Sequence, residues 1–235
     1  MSRLIGLDIL RGFAITLMVI FHFCYDLNYF GFIKIDITRD PFWLNFRILI
    51  VSLFLFAVGV SLALAYKDGI DWKKFKKRLF TLAVASLLVT VATYFIFPNA
   101  WVYFGILHSI LIISILSLPF INRGKLALIV AISTLIAYNF FNINMHPLFD
   151  ILKQPLHLPN HTVDLAPIIP WISLSLLGVA VVGFGIEKSL FNLKVFKFDS
   201  KLHNLLKILG KNSLLIYLIH QPILFAIFYL VNFVT

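Results

Sequence analysis

FWLNFRILIVSLFLFAVGVSLALAY, residues 42–66, carries a single charge at Arg47 and then runs to Tyr66 without another. A helix of that length crosses the ~30 Å hydrocarbon core of a bilayer, and such a run is too long and too uniformly apolar for an ordinary strand or buried helix. Six further apolar stretches flank it: Gly12–Ile33, Leu79–Phe97, Trp101–Ile121, Leu126–Phe141, Ala166–Ile186 and Asn212–Phe233. The composition agrees, with 61% of the 235 residues apolar, 13% charged and a mean hydropathy of +0.97. Soluble domains run at about half apolar and a quarter charged. The expected fold is therefore all-α: a polytopic transmembrane helix bundle of about seven spans, forming a single domain over residues 1–235, with no soluble domain of any size.

Leu126–Phe141 holds only about sixteen residues before Asn142, at the short limit for a span, so it is the weakest of the seven. The first stretch follows Arg3, Asp8 and Arg11 and has no small-residue cleavage site, so it reads as a retained helix. Cys24 is the single cysteine, so no intrachain disulfide can form.

Lys and Arg fix the orientation, because cytoplasmic loops retain positive charge. Of the 20, 16 fall in alternate connections: Arg3 and Arg11; Lys67 to Arg78; Arg123 and Lys125; and Lys188 to Lys211. Lys34, Arg39 and Lys153 fall on the other side, and Arg47 lies within a helix. The N-terminus is expected in the cytoplasm and the C-terminus outside, in a multi-pass protein of the cytoplasmic membrane. Insertion accounts for this distribution, so the net charge of +10 implies no nucleic-acid partner. The segments GIDWKKFKKRL and LKVFKFDSKLHNLLKILGK interleave lysine with apolar and aromatic residues, which suits the headgroup layer.

Chemistry is sought among ionisable residues at membrane depth, which are costly there and face a protein interior or a wet cavity. These are His22 and Asp26 in the first span, Arg47 in the second, His108 in the fourth and His220 in the seventh, with Asp8 and Arg11 at the cytoplasmic mouth of the first. At about 100° per residue, Asp8, Arg11, His22 and Asp26 fall near 0°, 300°, 320° and 0°, a common face with His22 about 16 Å beyond Arg11. Asp26 and Arg47 sit at matched depth and are expected to pair, and Asp26 is expected to orient His22 as a general base. Their structural alternative is mutual neutralisation, and that of the histidines is interhelical hydrogen bonding. In the seventh span Ser213, Tyr217 and His220 share a face, with Gln221 and Pro222 directly after. His146, His157, His161 and Asp164 in one external loop fit no compact metal motif, so no metal is expected. Glycine-rich phosphate loops, nucleophile elbows and HExxH are missing.

Taken in order, RLIGLDILRGFAITLMVIFHFCYDL, RILIVSLFLFAVGVSLALA, FGILHSI, APIIPWISLSLLG and LGKNSLLIYLIHQPIL resemble the prokaryotic branch of the heparan-alpha-glucosaminide N-acetyltransferase catalytic-domain family, within a wider group of transmembrane acyltransferases. LDxLRG followed by a histidine is the most specific part. The resemblance implies transfer of an acetyl group from cytoplasmic acetyl-CoA to an acceptor across the membrane, commonly an amino sugar or other envelope glycan. By motif, Asp8 and Arg11 belong to LDxLRG, His22 to the first-span histidine of the wider group and His220 to the histidine of the last-span block; His22 and Asp26 are the expected catalytic residues, and Arg11 and Asp8 the expected donor-binding ones. Arg47, His108, Tyr217, His220 and Gln221 complete the candidate polar cavity. Transfer can proceed directly or through an acetylated histidine. The expected partners are the bilayer, acetyl-CoA and the acceptor, with a homo-oligomer left open. The competing reading is a non-enzymatic carrier or proton-coupled transporter using the same His and Asp residues. A structural membrane subunit would leave the aligned polar face without a purpose.

Overall fold

A computed structural model describes residues 4–193, 196 and 201–234, apart from the side chain at 234. Arg3, Lys194 and Lys197 of the charge pattern, and the terminal Thr235, lie outside the described residues. Ten α-helices occur among those described: α1 Ile5–Tyr29, α2 Pro41–Tyr66, α3 Trp72–Ile96, α4 Ile106–Leu116, α5 Gly124–Phe141, α6 His146–Lys153, α7 Ile168–Gly183, α8 Glu187–Phe191, α9 Lys201–Lys211 and α10 Ser213–Val234.

Each of the seven apolar stretches contains a helix, and the chain is an all-α membrane protein. Among the described residues five helices, α1, α2, α3, α5 and α10, are long and apolar enough to cross a bilayer. The shortfall does not fall on the fifth stretch. It starts two residues earlier than expected, at Gly124, and ends where Asn142 turns left-handed at φ 50°. The short helices are α4, at 11 residues, and α7, at 16. In place of the expected Trp101–Ile121 helix, residues before 106 are extended. Val163 N–H donates to the Ala100 carbonyl and Ala166 N–H to the Phe104 carbonyl, each at 3.0 Å. A backbone already bonded sideways cannot also supply a helical ladder. At its start α7 is held back by Pro167 and Pro170, since Ile169 before a proline is extended at φ −95° and ψ 126°.

The chain divides into two compact units, residues 1–54 with 188–235, and residues 55–187. In the first, α1 packs on α9 and α10. The crossing with α9 requires glycine: a Cβ at Gly12 would strike the Leu206 carbonyl, and one at Gly210 the Asp8 carbonyl. Small residues at such crossings let backbones touch where lipid supplies no hydrophobic drive. Ile15, Met18, Phe21, Ile37 and Ile50 form the core, with Trp43, Phe46 and Tyr217 around it.

In the second unit α4 and α5 pack on α7, and α3 beside α4. A Cβ at Gly59 of α2 would meet the Ser175 carbonyl of α7. Ser109, Ser114, Ser117, Ser173 and Ser175 are all fully buried, small enough for close helix contact, and Ser117 and Ser175 share a 3.2 Å hydrogen bond. Asp71 caps α3 by accepting the Lys74 N–H at 3.1 Å. Outward faces are apolar: Phe80 is 71% exposed and Phe95 77%, which water would penalise and lipid does not.

Candidate active site

Two helices of the first unit, α1 and α10, bring four of the candidate side chains together in two layers. The first layer is His22 with His220, whose ring centroids are 4.8 Å apart at 76°, edge to face. His22 Nδ1 lies 2.9 Å from the Met18 carbonyl one turn back, and His220 Nδ1 lies 2.7 Å from the Tyr217 carbonyl. A carbonyl only accepts, so each Nδ1 carries the hydrogen. In the neutral rings each Nε2 then presents its lone pair. Nε2 of His220 is buried and has no hydrogen-bond partner.

The second layer is Asp26 with Gln221. Asp26 is completely buried, and its Oδ1 accepts the Gln221 Nε2–H at 2.7 Å. Asp26 Oδ2 and Gln221 Oε1 are buried without partners. Asp26 is one turn beyond His22, so the layers stack along α1 about 6 Å apart. On α10 the corresponding residues are consecutive, and Pro222, which follows inside the helix, has no N–H for the Leu218 carbonyl. Beyond Asp26, aromatic rings pack the end of α1 against α10: Tyr29 meets Phe225 at 5.6 Å, and Phe30 stacks on Phe228 at 5.5 Å.

Two sequence expectations are corrected here. Asp26 does not pair with Arg47: its partner is Gln221, while Arg47 is exposed. Matched depth gives a height along the bilayer but not a direction around the helix. Nor does Asp26 orient His22, because the Met18 carbonyl already holds Nδ1.

The remaining candidates lie elsewhere. Asp8 and Arg11 are near the start of α1, far from His22, with Arg11 Nη1 3.3 Å from Asp8 Oδ1. Asp8 is 2% exposed and Arg11 26%, an internal pair whose cation still reaches the surface. Tyr217 packs at the core of the first unit and supplies the carbonyl that holds His220.

His108 belongs to the second unit, and both of its ring nitrogens are occupied. Nδ1 accepts the Gly105 N–H at 3.2 Å, so Nε2 carries the hydrogen and faces Thr90 Oγ1 at 3.2 Å. The Thr90 hydroxyl hydrogen goes to the Val102 carbonyl at 2.8 Å. Asp164 accepts the Ile106 N–H at 2.9 Å and so caps α4 from a distant loop. These contacts fasten the start of α4, and Thr90 carried no sequence signal for that role. Among the described residues, no group of three or more His, Cys, Asp or Glu side chains is arranged to hold a metal ion.

The family described as Heparan-alpha-glucosaminide N-acetyltransferase, catalytic, matches residues 3–222. The chain belongs to this family. No curated protein and no solved structure is a match to it. The heparan-alpha-glucosaminide N-acetyltransferase match extends from the first residues through Pro222, so His22, Asp26, His220 and Gln221 all lie inside the transferase region.

Proposed function

We propose that the protein is an acetyl-CoA-dependent acetyltransferase of the cytoplasmic membrane, moving an acetyl group from cytoplasmic acetyl-CoA to an amino sugar or other envelope glycan across the membrane. His22 carries the reading. Its Nδ1–H is fixed by the Met18 carbonyl, and the unprotonated Nε2 stands beside a second histidine with the same tautomer. A general base needs that arrangement.

In direct transfer, the acceptor nitrogen or oxygen attacks the thioester carbonyl carbon while His22 Nε2 takes its proton. The C–S bond then breaks, and the departing CoA thiolate takes the proton from the His22 imidazolium. In the stepwise alternative, Nε2 attacks the carbonyl carbon and the C–S bond breaks to release the CoA thiolate; the acceptor then attacks the same carbon, the C–Nε2 bond breaks to restore the free imidazole, and the acceptor's proton goes to the thiolate. Both routes begin from one lone pair. The unpartnered acceptors His220 Nε2, Asp26 Oδ2 and Gln221 Oε1 suit a guest rich in N–H and O–H groups, as an amino sugar is. Asp26 and Gln221 also hold α1 and α10 together beside the histidines. Arg11, part-exposed at the opposite end of α1, suits the anionic donor.

The proposed bilayer orientation rests on the charge distribution, with the N-terminus inside and the C-terminus outside, and it counts the short α4 and α7 as spans beside the five long helices. A topology reporter fused after Thr235 should read external; a cytoplasmic signal would change the span count by one. To test the activity, purified protein is reconstituted into vesicles with acetyl-labelled acetyl-CoA on one side and glucosamine on the other. Labelled N-acetylglucosamine is the expected product. Absence of acetyl-CoA binding, with proton-coupled uptake instead, would overturn the enzyme in favour of a transporter.

A further inference from the structure

Arg78, in the second unit, has no carboxylate paired with it among the described residues. It is the last charge before the apolar run of α3 begins at Leu79. Its Nε is buried without a hydrogen-bond partner, and none of the ion pairs among the described residues involves it. The nearest acid in sequence, Asp71, is engaged by the Lys74 side chain at 3.0 Å and by the Lys74 N–H. Beside it lies Tyr66, buried in one apolar cluster with Leu62 and Phe75, while Lys67 and Arg123 add positive charge at the same end of the unit, next to the exposed Asp68. The two basic connections are tied together, since Asn122 Nδ2 donates to the Lys67 carbonyl at 2.7 Å. A half-buried guanidinium with no counter-charge among the described residues gains from an anion arriving from outside.

We propose that Arg78 anchors a binding site for a phosphate ester at this basic end of the second unit. The site sits where an apolar span begins, at the height of lipid phosphates, and a guanidinium matches phosphate geometry with paired N–H donors. The phosphate can come from an anionic phospholipid headgroup or from the phosphates of CoA. The second source rests on the acetyl-CoA reading above, and the first does not.

Thermal unfolding of the full chain separates these cases. Wild type, Arg78→Gln, Arg78→Lys and the exposed-lysine control Lys73→Gln are compared with and without CoA in detergent. The same set is compared in nanodiscs of phosphatidylcholine alone and with phosphatidylglycerol. A ligand that binds only the folded state raises the melting temperature with its concentration. Wild type and Lys73→Gln should be stabilised by at least one probe. Arg78→Gln should lose that stabilisation, with apparent affinity about ten- to a hundredfold weaker, and Arg78→Lys should fall between. Without ligand, Arg78→Gln should melt no lower than wild type, because a neutral amide removes a half-buried charge that has no ion-pair partner among the described residues; a merely structural arginine would make it melt lower. A CoA response lost in Arg78→Gln names the free phosphate, and a phosphatidylglycerol response lost names the lipid. Wild type unresponsive to both probes, or Arg78→Gln responding as wild type does, would overturn the site. The second outcome would leave acetyl-CoA binding by the wild type intact.

Discussion

Gln221 and Asp26, 195 residues apart in the chain, are joined by a 2.7 Å hydrogen bond between the last long helix and the first. Asp26 is fully buried, so loss of that donor leaves a carboxyl group with no partner. Gln221→Leu should destabilise the protein by about 1–3 kcal/mol, whereas Arg47→Gln, at an exposed position, should stay within about 0.5 kcal/mol. Double-mutant cycles followed by unfolding should give coupling between Asp26 and Gln221 and none between Asp26 and Arg47. Coupling of Asp26 to Arg47 alone would reverse the assignment.

At Gly12, a methyl group has no room beside the Leu206 carbonyl. Gly12→Ala should push α9 away from α1 and cost about 1–3 kcal/mol, as overpacking does. A melting temperature equal to wild type would mean that the two helices are not in backbone contact.

His108→Ala removes the ring that accepts from Gly105 and donates to Thr90, so it should lower stability by about 1–3 kcal/mol. Acetyl transfer per folded molecule should be unchanged. A lost turnover at full stability would return His108 to the chemistry.

Asp71 lies outside the apolar run, and the Lys74 N–H it accepts, followed by the Lys74 side chain, holds its carboxyl below the usual range. A depressed carboxyl stabilises the fold above its unfolded value, about pH 3.9, and that contribution disappears as pH falls through the folded value. Asp71→Ala should therefore melt below wild type near neutral pH and converge with it in acid. A gap independent of pH would rule out the cap as its source.

The helical class was readable because 48–66 and its counterparts are apolar over lengths that only a bilayer requires. The pairing of His22 with His220 and of Asp26 with Gln221 was readable only in part. Helical angle put each set on one face of its own helix, but nothing in a single helix says which neighbour that face meets. Depth alone therefore matches Arg47 to Asp26 and leaves Gln221 without a partner. The tautomers of His22 and His220 depend on the Met18 and Tyr217 carbonyls, main-chain groups that every residue possesses. The shortness of α4 was hidden for a similar reason: backbone bonds from Val163 and Ala166 stop the helix at a sequence that is apolar on both sides of the boundary.

Turnover of labelled acetyl-CoA by purified His22→Ala, measured with acetyl-CoA affinity and thermal unfolding on the same sample, bears most directly on His22 as the base. Turnover should fall by about 10²–10⁴, with affinity and melting temperature at wild-type values. Wild-type turnover in His22→Ala would contradict that role.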